Sequence, residues 1–317
     1  MTHKCLGIHH ITAIASAPQP NYDFYTKMLG LRLVKRSVNQ DQTEAYHLFY
    51  GDRLGEPGMD LTFFTFDPVY PGISGSGSVS LISLAVPEDS LEFWLHRFNK
   101  HQIKHDSITQ HFGYPRIVFF DPDDQKLELV GLSPKDYKFA TKEVWQTKEI
   151  TNLNAITAFH SARLSVLNRS SIEPIITDLL GFELIDQEKD TSLFNLTTAN
   201  RARFIEIQEL PDQQPSLSGA GSVHHIAFQV KDQTHLISMR QSVLEFGLHP
   251  TPVIDRFYFK SVYFQTPAGI LFELATNEPG FTVDEPESEL GSELHLPPWL
   301  EPDRDQIQKL LPPLTTS

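Results

Sequence analysis

The chain has 317 residues, 40% of them hydrophobic and 21% charged, which is enough for two domains with a sizeable core. Its formal net charge of −14 argues against a nucleic-acid or anionic-membrane partner, and no long apolar run offers a membrane span, so a cytoplasmic address is expected. The lone cysteine, Cys5, excludes an intramolecular disulfide and reads as a bland thiol.

The first predicted strand, Gly7-Ile8-His9-His10-Ile11-Thr12-Ala13-Ile14, carries two adjacent histidines. A helical segment, Tyr22–Gly30, closes on Leu-Gly, where glycine suits a C-cap, and strands follow to about residue 66. The second stretch opens at Ser78-Val79-Ser80-Leu81-Ile82, continues through a helix near Leu91–Lys100, and ends in strands holding Phe119-Phe120-Asp121-Pro122 and Leu127-Glu128-Leu129. Residues 133–152, polar and without clear periodicity, read as a linker. A third stretch, about 153–208, repeats the first, with a helix over Ile172–Gly181. The fourth opens at Ser222-Val223-His224-His225-Ile226, places a helix at His235–Phe246, and ends in Tyr263-Phe264-Gln265-Thr266-Pro267 and Phe272-Glu273-Leu274. Ser78 and Ser222 lie 144 residues apart and Pro122 and Pro267 lie 145 apart, so a single insertion separates the second and fourth copies.

The chain is therefore an α+β protein of four βαβββ modules. Two make an N-terminal domain (1–145), two a C-terminal domain (146–277), and a tail (278–317) follows. The tail is acidic and proline-rich; Asp284–Glu293 reads as a solvated surface run, and a short helix is expected around Asp303–Leu311.

Neighbouring side chains on a strand point to opposite faces, so one histidine of each doublet serves a given site. His224 shares its face with Ile226, Phe228 and Val230, the apolar row that belongs under a helix, which leaves His225 looking into a cavity. The same reasoning turns His10, which shares its face with Thr12, inward, and sets His9 behind it. Glu273 lies in an otherwise apolar strand, where an unpaired carboxylate would be very costly. A hairpin centred on Ala268 sets Tyr263 opposite it, and Arg256 reaches the same opening.

Two histidines and one carboxylate, His10, His225 and Glu273, form the ligand set of a non-haem Fe(II) site, with positions left open for substrate and dioxygen. The repeat acts as an internal control. At the pseudo-equivalent positions Leu81 replaces His225, Ser161 replaces His10 (with His160 matching His9), Val118 replaces Tyr263 and His111 replaces Arg256, while Glu128 alone survives as the match of Glu273. One site keeps its polar set and the other loses it, which favours a metal over residues that merely serve the fold.

These features resemble the vicinal oxygen chelate superfamily, which contains glyoxalases, bleomycin-resistance proteins and extradiol dioxygenases. More narrowly, Gly7–Ile14, Leu31–Arg36 with Tyr46–Asp52, Thr62-Phe63-Phe64, His224-His225, Thr266–Glu273 and Leu296–Pro302 are similar to hydroquinone-type ring-cleaving dioxygenases over nearly the whole chain. The resemblance implies two tandem domains with cup-shaped mixed sheets, Fe(II) (or Mn(II) or another divalent metal) on His10, His225 and Glu273, and functional roles for His9, Thr12, Arg256 and Tyr263. It implies cleavage of a para-dihydroxy aromatic ring with both atoms of O2 inserted. Tyr263 and Arg256 would hydrogen-bond the substrate oxygen or developing charge. His9 and His224, placed behind the ligands, suit an orienting role better than proton transfer.

Two other readings stay open. A glyoxalase-like metal isomerase would add a second carboxylate ligand, for which Asp60, at the edge of its strand, is the nearest candidate. A metal-free protein that sequesters an aromatic compound would not require His10, His225 and Glu273 together. A homo-oligomeric assembly is compatible with either role, catabolism or defence against quinones.

Overall fold

The computed structural model describes residues 4–136 and 144–316; of the expected linker 133–152, residues 137–143 lie outside them. The first module holds β1 (Ile8–Ala15), β2 (Arg32–Asn39), β3 (Gln42–Gly51) and β4 (Asp60–Thr65). The second holds β5 (Ser78–Pro87), β6 (Thr109–His111), β7 (Tyr114–Phe120) and β8 (Lys126–Leu132). The third holds β9 (Ala158–Val166), β10 (Glu183–Glu188), β11 (Thr191–Asn195) and β12 (Phe204–Glu209). The fourth holds β13 (Ser222–Val230), β14 (Ile254–Asp255), β15 (Lys260–Gln265) and β16 (Leu271–Thr276). In each module a helical segment follows the first strand, as the repeat predicts.

Strand alternation and helix spacing meet as expected in the fourth module. The helix Gln233–Glu245 buries Leu236, Met239 and Val243, spaced three and four residues apart, and these join Ile226, Phe228 and Val230 of β13 in the main core. Asp232 caps its start by accepting the His235 amide hydrogen at 2.9 Å. The helix Leu91–Lys100 does the same in the second module with Leu91, Trp94 and Phe98. The predicted helices Tyr22–Gly30 and Ile172–Gly181 differ in form: each contains a wider π-type turn, Asp23–Met28 and Ile175–Leu179, closed by bonds such as Leu29 N–H to the Phe24 carbonyl at 3.0 Å. Both end at the predicted glycines, Gly30 (φ +72°) and Gly181 (φ +96°), where an L side chain would be strained.

The strands form two curled eight-stranded mixed sheets, in the orders β14-β15-β16-β13-β1-β4-β3-β2 and β10-β11-β12-β9-β5-β8-β7-β6. The first sheet joins modules one and four; the second joins modules two and three. Segments 1–145 and 146–277 are therefore halves of the chain and not separate sheets. The reason lies in the first strand of each module, which leaves an edge open: β1 pairs antiparallel with β13, and β5 with β9.

The acidic tail corrects an expectation. Within Asp284–Glu293 the residues 286–289, 292 and 293 are exposed as expected, but Asp284 and Glu285 bind the fully buried Lys35 of β2, Asp284 at 2.7 Å, and Asp284 also accepts a hydrogen bond from Tyr258 at 2.9 Å. A buried ammonium needs such partners, and the tail supplies them. Phe281 and Leu290 then pack with Val34, Phe49, Tyr258 and Phe259. The expected C-terminal helix is present at Arg304–Leu310. Cys5 lies in the core, and burial pushes its thiol up to about 12, so it has no nucleophilic character. Among the described residues no helix is long and apolar enough to cross a membrane.

A candidate metal centre in the first cup

The first sheet lines up the predicted residues by register alone. Tyr263 pairs with Glu273 across β15 and β16, Glu273 with Ala227 across β13, and Ala227 with His10 across β1. One step along, His225 pairs with Thr12 and Thr12 with Thr62 of β4. Ala227 is small, so the ring of His10 and the carboxylate of Glu273 close over it.

His10 Nε2 lies 3.2 Å from His225 Nε2, and Glu273 Oε2 lies 3.1 Å from His10 Nε2 and 2.8 Å from His225 Nε2. All three side chains are almost fully buried. The Ser261 hydroxyl donates to Glu273 Oε1, but Oε2 is close to both rings without hydrogen-bond geometry, leaving a buried oxygen unsatisfied. Two imidazole nitrogens and one orphaned carboxylate oxygen converging on a point fit a divalent cation.

The histidine doublets now have a physical account. His9 Nε2 is 3.1 Å from the Thr276 carbonyl oxygen, which can only accept, so His9 carries its hydrogen there. Its Nδ1 is then an acceptor, 2.9 Å from His10 Nδ1. His10 must donate from Nδ1, which leaves its Nε2 lone pair facing the centre. Burial, then the proximity of His10, pushes His9 down to about 3, so it stays neutral in this role. His224 repeats the contact, Nδ1 to Nδ1 at 2.8 Å from His225, from an exposed position. Neither His9 nor His224 faces the converging atoms.

Above the ligands lies a cavity walled by Phe49, Phe64, Tyr258 and Phe259. Arg256 and Tyr263 line it as expected: the guanidinium sits 5.4 Å over the phenol ring and its Nε is 3.4 Å from the hydroxyl. Burial and then Glu273 push the Tyr263 phenol well up, so it remains a hydrogen-bond donor. Arg256 also reaches Asp41, at the tip between β2 and β3, at 2.9 Å. Thr12 is 3.0 Å from His225 Nε2 and 2.7 Å from the Thr62 hydroxyl.

A family model described as the Glyoxalase/Bleomycin resistance protein/Dioxygenase superfamily matches residues 7–129. The chain is 37% identical over 321 residues, 98% of it and 99% of the relative, to "Putative ring-cleaving dioxygenase MhqA" of Bacillus subtilis (strain 168). It is 30% identical, over 96% of its length and 95% of the relative's, to the "Chlorohydroquinone/hydroquinone 1,2-dioxygenase" of Sphingobium indicum. The chain belongs to the glyoxalase/bleomycin resistance/dioxygenase superfamily. A solved structure, "putative dioxygenase from Bacillus subtilis subsp. subtilis str. 168", superposes on it with a TM-score of 0.94 at 35% identity, covering 99% of both chains. Glyoxalase I from Zea mays shares the fold, with a TM-score of 0.61 at 14% identity over 86% of this chain and 92% of that one.

Within this superfamily member the second cup is a different object from the one the sequence suggests. Its register matches that of the first: Val118 pairs with Glu128, Glu128 with Ser83, and Ser83 with Ser161. The cup is not depleted of polar groups, as expected from Leu81, Ser161 and Val118; it is filled by an ion cluster. Arg116, at the position of Ser261, places Nη1 2.6 Å from Glu128 and 2.9 Å from Glu206, and Arg163, at the position of Thr12, binds Glu206 at 2.6 Å. Burial would raise Glu206, but Arg116 and Arg163 hold it well below its ordinary value.

Three residues of the first cup are absent from the expected site residues: Ser261, and Thr62 and His47, which lie in the quoted stretches without a role assigned. Ser261 and Thr62 are unremarkable as letters, and His47 sits on β3, whose role depends on pairing with β4. The available signal was alternation, since His47 and Phe49 share the face that pairs with Phe64 and Thr62. The second-carboxylate candidate Asp60 opens β4 and is fully buried near His9 and His10, with both oxygens unpartnered among the described residues and its pKa pushed well up by burial. The β4 position paired to Thr12 is Thr62, whereas the equivalent position in the second cup is Glu206, paired to Arg163.

Proposed function

We propose that this chain is an Fe(II)-dependent ring-cleaving dioxygenase that acts on a hydroquinone-like ring and inserts both atoms of O2. The observation that carries the reading is the convergence of His10 Nε2, His225 Nε2 and the orphaned Glu273 Oε2 at the base of an aromatic-walled cavity. The relatives named as ring-cleaving and hydroquinone dioxygenases support the reaction class. His10, His225 and Glu273 would hold the ion. Bound there, it would supply Lewis acidity that lowers the pKa of a ring hydroxyl and a path for the ring's electrons to dioxygen.

The remaining work falls to the chain. Phe49, Phe64 and Phe259 bound a slot for a planar ring and exclude water from it. Tyr263, held as a phenol, donates a hydrogen bond where negative charge develops on oxygen, with Arg256 adding positive charge behind it. His9 keeps the His10 ring in the tautomer that offers Nε2, and His224 makes the matching Nδ1 contact to His225. A metal isomerase that needs a second carboxylate finds the hydroxyl of Thr62 at the matching β4 position, which disfavours that reading.

Protein purified without oxygen should contain about one iron per chain and consume O2 on a panel of hydroquinones. Oxygen uptake on catechols alone would shift the substrate class, and protein without bound divalent metal or oxygen uptake would overturn the assignment.

A further inference from the structure

The geometry points to His47 as a further functional residue: a relay that takes a proton from the ring hydroxyl remote from the metal ligands and passes it, through Thr62 and Thr12, to the side of the cavity where those ligands converge. The inference rests on the ring-cleaving reading above.

His47 projects from β3 into the cavity that holds Arg256 and Tyr263, its ring packed against Phe49 at 3.8 Å and Phe64 at 4.4 Å between centroids. Its Nε2 is 2.9 Å from Thr62 Oγ1, Thr62 Oγ1 is 2.7 Å from Thr12 Oγ1, and Thr12 Oγ1 is 3.0 Å from His225 Nε2. A continuous hydrogen-bonded line therefore joins the cavity wall to the metal-ligand atom. Among the described residues Nδ1 of His47 makes no hydrogen bond, which leaves that nitrogen for a ligand. Burial pushes the ring well below its ordinary pKa, so it works as a neutral imidazole, with one donor and one acceptor nitrogen.

Such a line moves a proton without leaving a charge behind. The substrate O–H bond breaks and its hydrogen goes to His47 Nδ1, while the hydrogen on Nε2 passes to Thr62, that of Thr62 to Thr12, and that of Thr12 to a hydroxide ion beside the ligands, which becomes water as the ring hydroxyl becomes a phenolate. No electrons are exchanged between these groups, and His47 ends neutral with its hydrogen on Nδ1. Once a cation occupies the lone pair of His225 Nε2, the Thr12 hydroxyl loses its acceptor there and is free to donate elsewhere. The second cup again serves as a control. Register places Thr191, Glu206 and Arg163 where the first cup has His47, Thr62 and Thr12, so the relay is missing where the ligand triad is missing.

The test compares hydroquinone with 4-methoxyphenol, whose methyl ether cannot donate a hydrogen bond, in anaerobic binding to the Fe(II)-loaded protein and in oxygen uptake. Wild type should bind hydroquinone about fivefold tighter than the ether, the worth of one net hydrogen bond. His47→Phe, similar in bulk, should bring that ratio towards one and lower kcat by about 100-fold or more. Thr62→Val should keep the wild-type binding ratio, because Nδ1 is untouched, yet lower kcat similarly and diminish the solvent deuterium isotope effect. If His47→Phe does not fold or load iron, His47→Asn, which keeps a polar group near Nδ1, is read in its place: binding ratio retained, turnover lost. Wild-type kcat in the His47 variant or in Thr62→Val overturns the relay while the dioxygenase reading stands. No oxygen uptake by wild type on any hydroquinone overturns that reading itself.

Discussion

The two cups are built on one frame and solve the same electrostatic problem in opposite ways. Each has a buried glutamate at the same register position, Glu273 in the first and Glu128 in the second, and a buried carboxylate needs positive charge near it. The second cup supplies its own cation: the guanidinium of Arg116 lies between Glu128 and Glu206. At that position the first cup has Ser261, whose short side chain reaches only Oε1 of Glu273 and leaves Oε2 facing the imidazoles of His10 and His225. A duplicated site thus becomes a structural plug where an arginine enters it, and where a serine does it keeps the unsatisfied carboxylate oxygen on which the proposed cation site rests. Substitutions that exchange residues between the cups put this comparison at risk.

The largest effect is expected from giving the first cup a residue of the second. His225→Leu, which copies Leu81, should lower divalent-metal occupancy below detection and abolish turnover, as should Glu273→Ala, with the fold retained by circular dichroism. Stoichiometric iron in either purified variant would show that the ligands lie elsewhere.

The reverse exchange, Arg116→Ser, leaves Glu128 and Glu206 without the guanidinium between them. It should cost about 3–5 kcal/mol in urea unfolding, the penalty for stranding one side of a buried ion pair, with metal content in the first cup unchanged. Loss of iron from a well-folded Arg116→Ser protein would mean that the second cup participates in metal binding.

Tyr263→Phe moves the first cup towards the apolar Val118 of the second. Iron content and anaerobic substrate affinity should remain close to wild type, while kcat falls about 10-fold to 1,000-fold, the range for removing one preorganised donor to transition-state charge. Unchanged kcat would take Tyr263 out of the reaction and leave the triad in place. If the protein instead sequestered an aromatic ligand, binding would weaken by about 1 kcal/mol with no turnover to lose.

The smallest effect is the part of the pH slope that His160 of the second cup contributes. Burial, then Arg116, pushes His160 from 6.5 down to about 3. Below about pH 6.5 the unfolded chain binds a proton there that the folded chain refuses, so stability is lost as pH falls through the window from 6.5 towards 3. At pH 5 the loss is about 2 kcal/mol. His160→Gln should flatten the dependence of unfolding free energy on pH between 6.5 and 5 by that amount, and an identical slope in wild type and variant would show that His160 protonates freely in the folded protein.

The sequence by itself determined what depends on short-range periodicity. Two-residue alternation separated His10 from His9 and His225 from His224, and the hairpin around Ala268 paired Tyr263 with Glu273. The spacing of Leu236, Met239 and Val243 marked a helix face, and the 144-residue repeat revealed the modules. Tertiary structure alone decided which strand edges meet: modules one and four share a sheet, so the proposed triad draws its ligands from opposite ends of the chain. It also decided which distant side chain neutralises a buried charge, as with Arg116 between two glutamates and Lys35 held by the acidic tail. The tautomer chain through His9 to the Thr276 carbonyl and the line from His47 to Thr12 depend on the same meetings. The division has a physical basis. The direction of a side chain on a strand follows from local backbone geometry, whereas hydrogen bonds and ion pairs form between groups that only the assembled sheet brings within 3 Å or so of one another.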